Sequence, residues 1–287
     1  MNGVQDTGRR VSALVTPEEL EAMRGGDLRL IEIAGLRQDE MQAYRAGHVP
    51  GAICWRWKEM LWDATDRDFP DPEEFARRLG AAGIGNDTTI VVYGEDVQFG
   101  IYAWWALRYC GHENVRLLDG ARAGWVAAGR KLETEFPAAP AARPYRQMER
   151  IESMRIGRDA VRASLGSSDL SIVDARSPEE YSGERVGGPG GADHGAVRAG
   201  RIPGAKHLFF RDLLDANNAF RPADELRALV RSKGVGEDDR VIAYCRMSHR
   251  ATVAYFALTQ ILGFDDVRVY DGSWTEWGNL VGVPVER

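Results

Sequence analysis

The 287-residue chain has few cysteines, three in all, and few lysines, which make up four of its 37 basic residues (Lys58, Lys131, Lys206 and Lys233). Cys54, Cys110 and Cys245 are too few and too far apart for a disulfide framework, and a reducing compartment suits them. No apolar run approaches the roughly 18 residues that cross a bilayer. Met1 to Arg10 lacks the apolar centre of a signal peptide, so a cytoplasmic protein with a loose tail over residues 1–10 is expected. Positive charge is not in excess either. A net charge of −6 and a pI near 5.5 argue against nucleic acid or an anionic membrane as partner. The five histidines (His48, His112, His194, His207 and His249) form no zinc-like spacing with the cysteines. No metal is expected, and nothing requires a cofactor. What is present is an ordinary globular composition, 44% hydrophobic and 28% charged, over a length that suits two domains.

One stretch concentrates the chemistry: Cys245-Arg246-Met247-Ser248-His249-Arg250. Before it, Val241-Ile242-Ala243-Tyr244 reads as a buried strand. After it, Ala251 to Leu262 is apolar on nearly every face and reads as a buried helix. A cysteine on that turn sits where open parallel sheets bind ligands, at a helix N-terminus whose free N–H groups favour an anion. Arg246 and Arg250 add two positive charges. Such surroundings lower a cysteine pKa and make it a nucleophile.

The chain also repeats itself. Arg45-Ala46-Gly47-His48-Val49-Pro50-Gly51-Ala52 returns as Arg198-Ala199-Gly200-Arg201-Ile202-Pro203-Gly204-Ala205. Thr89–Gly94 matches Arg240–Cys245, Gly111–Gly120 matches Gly263–Gly272, and Trp125 matches Trp277, all at similar offsets. The order of the landmarks identifies a duplicated α/β unit rather than a short-period solenoid. The proline-bearing stretch 136–144 reads as a linker. The expected division is 1–142 and 143–287, each a parallel sheet flanked by helices on both faces.

The two copies differ where it matters. Gly94, followed by Glu95 and Asp96, stands in the first copy where Cys245 stands in the second. Chemistry at this loop therefore belongs to the second copy, with the first as a non-catalytic wall. The interval from Asp174 to Pro203 exceeds that from Glu32 to Pro50 by 11 residues. The excess includes Gly187 to Gly195, which lacks the Gly-Lys-Ser/Thr ending of a phosphate loop. It is expected to be a flexible surface loop, with a lid as the alternative. Asp174 and Arg176 close the first strand of the second copy, either as a buried ion pair or loop staple, or with Asp174 fixing the loop arginines or Arg176 touching substrate. Ser177 and Glu180 suit a capping box. His249 is either a proton donor or added positive charge, or an exposed loop histidine without a role. Cys54 and Cys110 read as core.

These residues resemble the tandem-domain rhodaneses, the thiosulfate and 3-mercaptopyruvate sulfurtransferases. Tyr44-x-x-x-His48-Val49-Pro50-Gly51-Ala52 is similar to that family's N-terminal signature, and Val267-x-Val269-Tyr270-Asp271-Gly272-Ser273-Trp274-Thr275-Glu276-Trp277 to its C-terminal one. The resemblance covers roughly residues 12–283. It implies that Cys245 takes the outer sulfur of thiosulfate as a persulfide and passes it to cyanide or a thiol. Arg246, Met247, Ser248, His249, Arg250 and Arg176 would then contact substrate, with Asp174 and Trp274 supporting the loop. In the family, small neutral loops go with mercaptopyruvate and basic loops with thiosulfate, so Arg246 and Arg250 imply thiosulfate. Met247 departs from the usual second basic residue, His249-Arg250 from small uncharged ones, and Glu180 from a substrate-binding arginine. The alternatives are 3-mercaptopyruvate as donor, or a persulfide carrier serving a protein acceptor. A cysteine phosphatase or arsenate reductase is disfavoured, because those loops need Cys-x5-Arg and this one is Cys-x4-Arg.

Overall fold

A computed structural model describes residues 13–35 and 41–287; the expected loose tail lies outside them. The first copy builds a five-stranded sheet from β1 (Leu14–Val15), β2 (Leu28–Ile33), β3 (Ile53–Trp55), β4 (Thr89–Gly94) and β5 (Val115–Leu118). The second builds another from β6 (Arg155–Ile156), β7 (Leu170–Asp174), β8 (Lys206–His207), β9 (Arg240–Tyr244) and β10 (Val267–Tyr270). The orders are β1-β5-β4-β2-β3 and β6-β10-β9-β7-β8, with every pairing parallel. Strands covered by helices on both faces read as continuous apolar runs, as Ile90-Val91-Val92-Tyr93 and Val241-Ile242-Ala243-Tyr244 do; all eight residues are buried. From β7 the chain goes to β8 on one side and then to β9 on the other. The carboxyl ends of β7 and β9 therefore flank the switch point at which such sheets hold ligands. Asp174 ends β7 and Cys245 follows β9. Among the described residues, no helix is long and apolar enough to cross a membrane.

The repeated sequence is explained by repeated polar staples. Val49-Pro50-Gly51-Ala52 closes a turn by Ala52 N–H to Val49 O, 3.0 Å, and Ile202-Pro203-Gly204-Ala205 does so at 3.1 Å. Pro in the second position and a left-handed glycine in the third (φ 78° and 75°) are what a type II turn requires. The amide of Gly51 then donates to Glu133 (2.6 Å), and that of Gly204 to Glu286 (2.8 Å). Tyr93 accepts from the Val49 amide (3.0 Å) and Tyr244 from the Ile202 amide (3.1 Å). Trp125 donates to Lys131 O and Trp277 to Pro284 O. Each copy thus pins its signature loop to its central strand and to its own C-terminal segment. The capping box expected at Ser177 opens Pro178–Ser182, and Thr16 opens Pro17–Met23 with another.

The copies are not separate beads. One continuous cluster of buried apolar side chains contains Val92 and Trp105 of the first and Val241 and Phe256 of the second. Helix Val97–Tyr109 packs on helix His249–Phe256, with the Trp104 and Phe256 rings 4.6 Å apart. The linker is not a free tether either. Arg143 bonds Asp27, Thr88 and the Gly80 carbonyl, Tyr145 bonds His112, and the Ile151 amide reaches Tyr109 O. Gly83 and Gly111 leave room for this strap, since a Cβ on either would lie 2.6 Å from Pro140 or Met148. Residues 143–151, assigned from sequence to the second domain, therefore pack on the first.

Tyr244→Phe removes one hydroxyl that both donates to Asp174 (2.6 Å) and accepts from the Ile202 amide. The variant is expected to fold and to lose about 2 kcal/mol, because a buried amide and a buried carboxylate each lose a partner. Urea denaturation measures it, and a change below about 0.5 kcal/mol would contradict the staple's role.

Candidate active site

Cys245 leaves β9 at the switch point and is 1% exposed. The signature after β10 holds the turn around it. The Ser273 hydroxyl accepts from the amides of Cys245 (3.2 Å) and Ser248 (3.3 Å) and donates to Tyr270 O (2.9 Å). The Trp274 amide donates to Cys245 O (2.9 Å), and the amide and hydroxyl of Thr275 reach Arg246 O (3.1 and 3.0 Å). Ser248 takes a left-handed φ of 72°, rare for a residue with a side chain. Its hydroxyl is tied to the Asp271 carbonyl (2.7 Å) and carboxylate, which over-determines the turn. The amides of Arg246, Met247, Arg250 and Ala251 have no protein acceptor among the described residues. They and the start of helix His249–Phe256 give the ring its capacity for an anion.

Asp271 is buried and joins three parts of the molecule. Besides Ser248, it receives Arg67 of the first copy (3.0 Å) and Arg155 at the start of the second (3.1 Å). Asp271 and Ser273 belong to the C-terminal signature, so sequence flagged the segment without assigning these roles. Nothing in sequence flagged Arg67.

The two arginines of the ring have different partners. Both terminal nitrogens of Arg250 are taken by Glu180, at 2.6 and 2.8 Å. Burial pulls the Arg250 pKa down, but Glu180 and the neighbouring Cys245 sulfur raise it further, so it stays above its ordinary value. Burial alone would raise Glu180, yet the Arg250 bonds win and hold the carboxyl below its usual range. Arg246 instead donates to His194 Nδ1 (3.2 Å) and His194 O (2.9 Å). His194 belongs to the insertion expected to be a surface loop. The insertion does lie at the surface, but it rests against the ring: a Cβ on Gly195 would meet Arg246 Nη2 at 2.8 Å. Met247 is half-buried.

Two expected substrate contacts are corrected. Arg176 is fully buried, held bidentately by Asp174 (Nε–Oδ1 3.0 Å, Nη2–Oδ2 2.7 Å) and by Gly200 O (2.7 Å). Its guanidinium lies over Trp274, 4.5 Å from the ring centroid. It lies against Trp274, which is also fully buried, and its hydrogen bonds are to Asp174 and Gly200, which make it part of the support of the loop. Asp174 fixes Arg176 and Tyr244, not the arginines of the ring. His249 is the second correction. It is buried rather than exposed. Its ring enters the first copy among Trp57, Phe99 and Tyr102, with centroids 4.5, 4.6 and 4.2 Å away. Nδ1 donates to Met247 O (2.7 Å), and Nε2 is buried without a partner. Burial pushes its pKa down to about 3, so it is neutral near pH 7. The cage residues lie far away in sequence, and no local signal marked them.

In the first copy, a Cβ at Gly94 would run into Asp96 O and lie 2.6 Å from the Gly100 amide nitrogen, so that turn has no room for a side chain. Cys110 is buried, which pushes its thiol up to about 12, and Cys54 is half-buried on β3.

A histidine held near pKa 3 in the fold and near 6.5 when unfolded lets the unfolded chain bind more protons between those values, so stability falls as pH drops through that window. Replacing it by Phe keeps a ring in the cage and removes the titration. Relative to the wild type, His249→Phe should therefore gain about 2 kcal/mol between roughly pH 7 and pH 5 in denaturant titrations. Parallel pH dependence of the two proteins would contradict a neutral buried imidazole.

Comparison with known proteins places this geometry. The family model described as "Rhodanese-like domain" matches twice, over residues 16–128 and 158–280. The sulfur carrier protein TtuD of Thermus thermophilus is 41% identical over 93% of this chain and 93% of its own length. A putative thiosulfate sulfurtransferase of Haloferax volcanii is 40% identical, covering 96% of each. The putative thiosulfate sulfurtransferase SseA of Mycobacterium tuberculosis is 38% identical over 95% of this chain and 90% of its own. Among solved structures, an anaerobic ergothioneine biosynthesis enzyme from Chlorobium limicola shares the fold, with a TM-score of 0.82 at 24% identity over 96% of this chain and 70% of that one. A duplicated parallel sheet, a clamped cysteine turn in the second copy and two matches to one domain family lead to the same place: the chain belongs to the rhodanese-like family, with two tandem copies of its domain.

Proposed function

We propose that the protein is a sulfurtransferase that moves a sulfane sulfur from thiosulfate to cyanide or a thiol through a persulfide on Cys245. The observation that carries this reading is the ring itself. A single cysteine stands at the end of β9, clamped by Ser273, Trp274 and Thr275, while the matching turn of the first copy excludes any side chain. The Cys245 thiolate attacks the outer sulfur, and a new S–S bond forms from its electron pair. The donor's S–S bond breaks, and its pair leaves with sulfite. The persulfide then gives up its terminal sulfur to the acceptor, which regenerates the thiolate. The unbonded ring amides stabilise the negative sulfur in both steps. Arg246 supplies positive charge to the incoming donor.

A second reading keeps the persulfide and gives it a protein acceptor. It is favoured by the 41% identity to a protein named as a sulfur carrier. 3-Mercaptopyruvate is the alternative donor for either reading. A phosphatase reading is disfavoured further by geometry, because Glu180 occupies both terminal nitrogens of the arginine that would have to close on phosphate.

With thiosulfate and cyanide, the wild type should release thiocyanate, and mass spectrometry should find one added sulfur on Cys245. Cys245→Ser, whose hydroxyl cannot carry sulfane sulfur, should fall to the uncatalysed background. A higher kcat/KM with 3-mercaptopyruvate would keep the persulfide and reassign the donor. Persulfide without small-molecule turnover would favour the protein acceptor, and no persulfide from either donor would overturn the reading.

A further inference from the structure

The ring carries two cations, yet its charges are not equivalent. Arg250 is matched by a carboxylate in bidentate geometry, the strongest and most directional way to neutralise a guanidinium. Glu180 cannot easily swing away. It is fully buried, and one of its oxygens also accepts the Ser177 amide (3.2 Å) while its own amide donates to the Ser177 hydroxyl (3.4 Å). The pair is therefore a fixed part of the wall. Arg246 is bonded to no carboxylate, only to the imidazole nitrogen and carbonyl of His194, and its Nε is buried without a partner. The nearby carboxylate of Asp193 accepts from the amides of Val186 and Gly187 (2.8 and 2.9 Å), and its charge is offset by Arg185 at 4.0 Å. A third cation, Arg176, is cancelled by Asp174. Of the two arginines of the ring, only Arg246 is therefore without a carboxylate partner.

Resting on the sulfurtransferase reading above, we propose that Glu180 sets donor selectivity: by cancelling Arg250 it lowers the ring's preference for doubly charged thiosulfate over singly charged sulfane-sulfur donors, thiosulfonates of the type R–SO2–S⁻. The chemistry is the same for both. The Cys245 thiolate forms an S–S bond to the outer sulfur, the donor's S–S bond breaks, and the electron pair leaves with RSO2⁻ in one case and SO3²⁻ in the other. The donors differ by one unit of charge, which is what a second free guanidinium would recognise. The carboxylate of Glu180 is ionised at neutral pH, as its lowered pKa requires.

The test compares kcat/KM for thiosulfate and methanethiosulfonate, with cyanide as acceptor, in the wild type, Glu180→Gln and the double variant Glu180→Gln/Arg250→Met. Freeing Arg250 should raise the thiosulfate-to-thiosulfonate ratio about tenfold, mainly through KM, and added salt should shrink the gain. The double variant restores the charge balance and should bring the ratio back to that of the wild type, which a purely structural role for Glu180 would not do. If Glu180→Gln does not fold, Arg250→Met leaves an uncompensated carboxylate and must lower the ratio. An unchanged ratio in the folded variants, with both donors rising or falling together, overturns the proposal while leaving the sulfurtransferase reading in place. Absence of a Cys245 persulfide with either donor in the wild type removes both.

Discussion

The buried carboxylate of Asp271 is the contact through which the cysteine turn, the first copy and the start of the second are held together. An ionised carboxylate without water is costly unless it is paired and hydrogen-bonded. Here the compensation comes from Arg67, Arg155 and the Ser248 hydroxyl, each from a different part of the chain. Asp271 in turn fixes the left-handed Ser248, and Ser273, two residues further on, captures two amides of the ring. Removing any one of these groups leaves the others unsatisfied, so they act as one unit. Cys245 sits on the turn that this unit positions.

Much of this was legible in the sequence. The alternation of apolar runs and helical stretches predicted two parallel sheets, and the spacing of the landmarks predicted their equivalence. The cysteine turn was legible because its determinants are local: a β-branched run, a cysteine, two arginines and an apolar helix. The repeat of the Pro-Gly segment was legible too, although the turn it forms and the glutamate that receives its glycine amide, some 82 residues on, were not.

What could not be read is the pairing of groups far apart in the chain. Glu180 and Arg250 are 70 residues apart, and nothing at either position announces that the two charges cancel. A capping box explained Glu180 well enough to hide its second role. His249 presented itself as a loop histidine because its cage comes from Trp57, Phe99 and Tyr102 of the other copy. Arg176 was ambiguous between a buried pair and a substrate contact, and burial settled it. The linker looked like a tether because prolines and alanines carry no signal of what they pack against. In each case the missing information was tertiary: which side chain desolvates which charge.

The turn at Gly94 has a further meaning for how the two copies stand to each other. They are not one substitution apart. Bringing a cysteine to residue 94 would require the backbone at Asp96 and Gly100 to move first, because both crowd the space a Cβ would fill. The turn would also have to acquire the hydroxyl and amide clamps that Ser273, Trp274 and Thr275 provide around Cys245. The difference between the two turns is thus held by backbone sterics as well as by the identity of one side chain, and a single exchange at Gly94 does not convert one into the other.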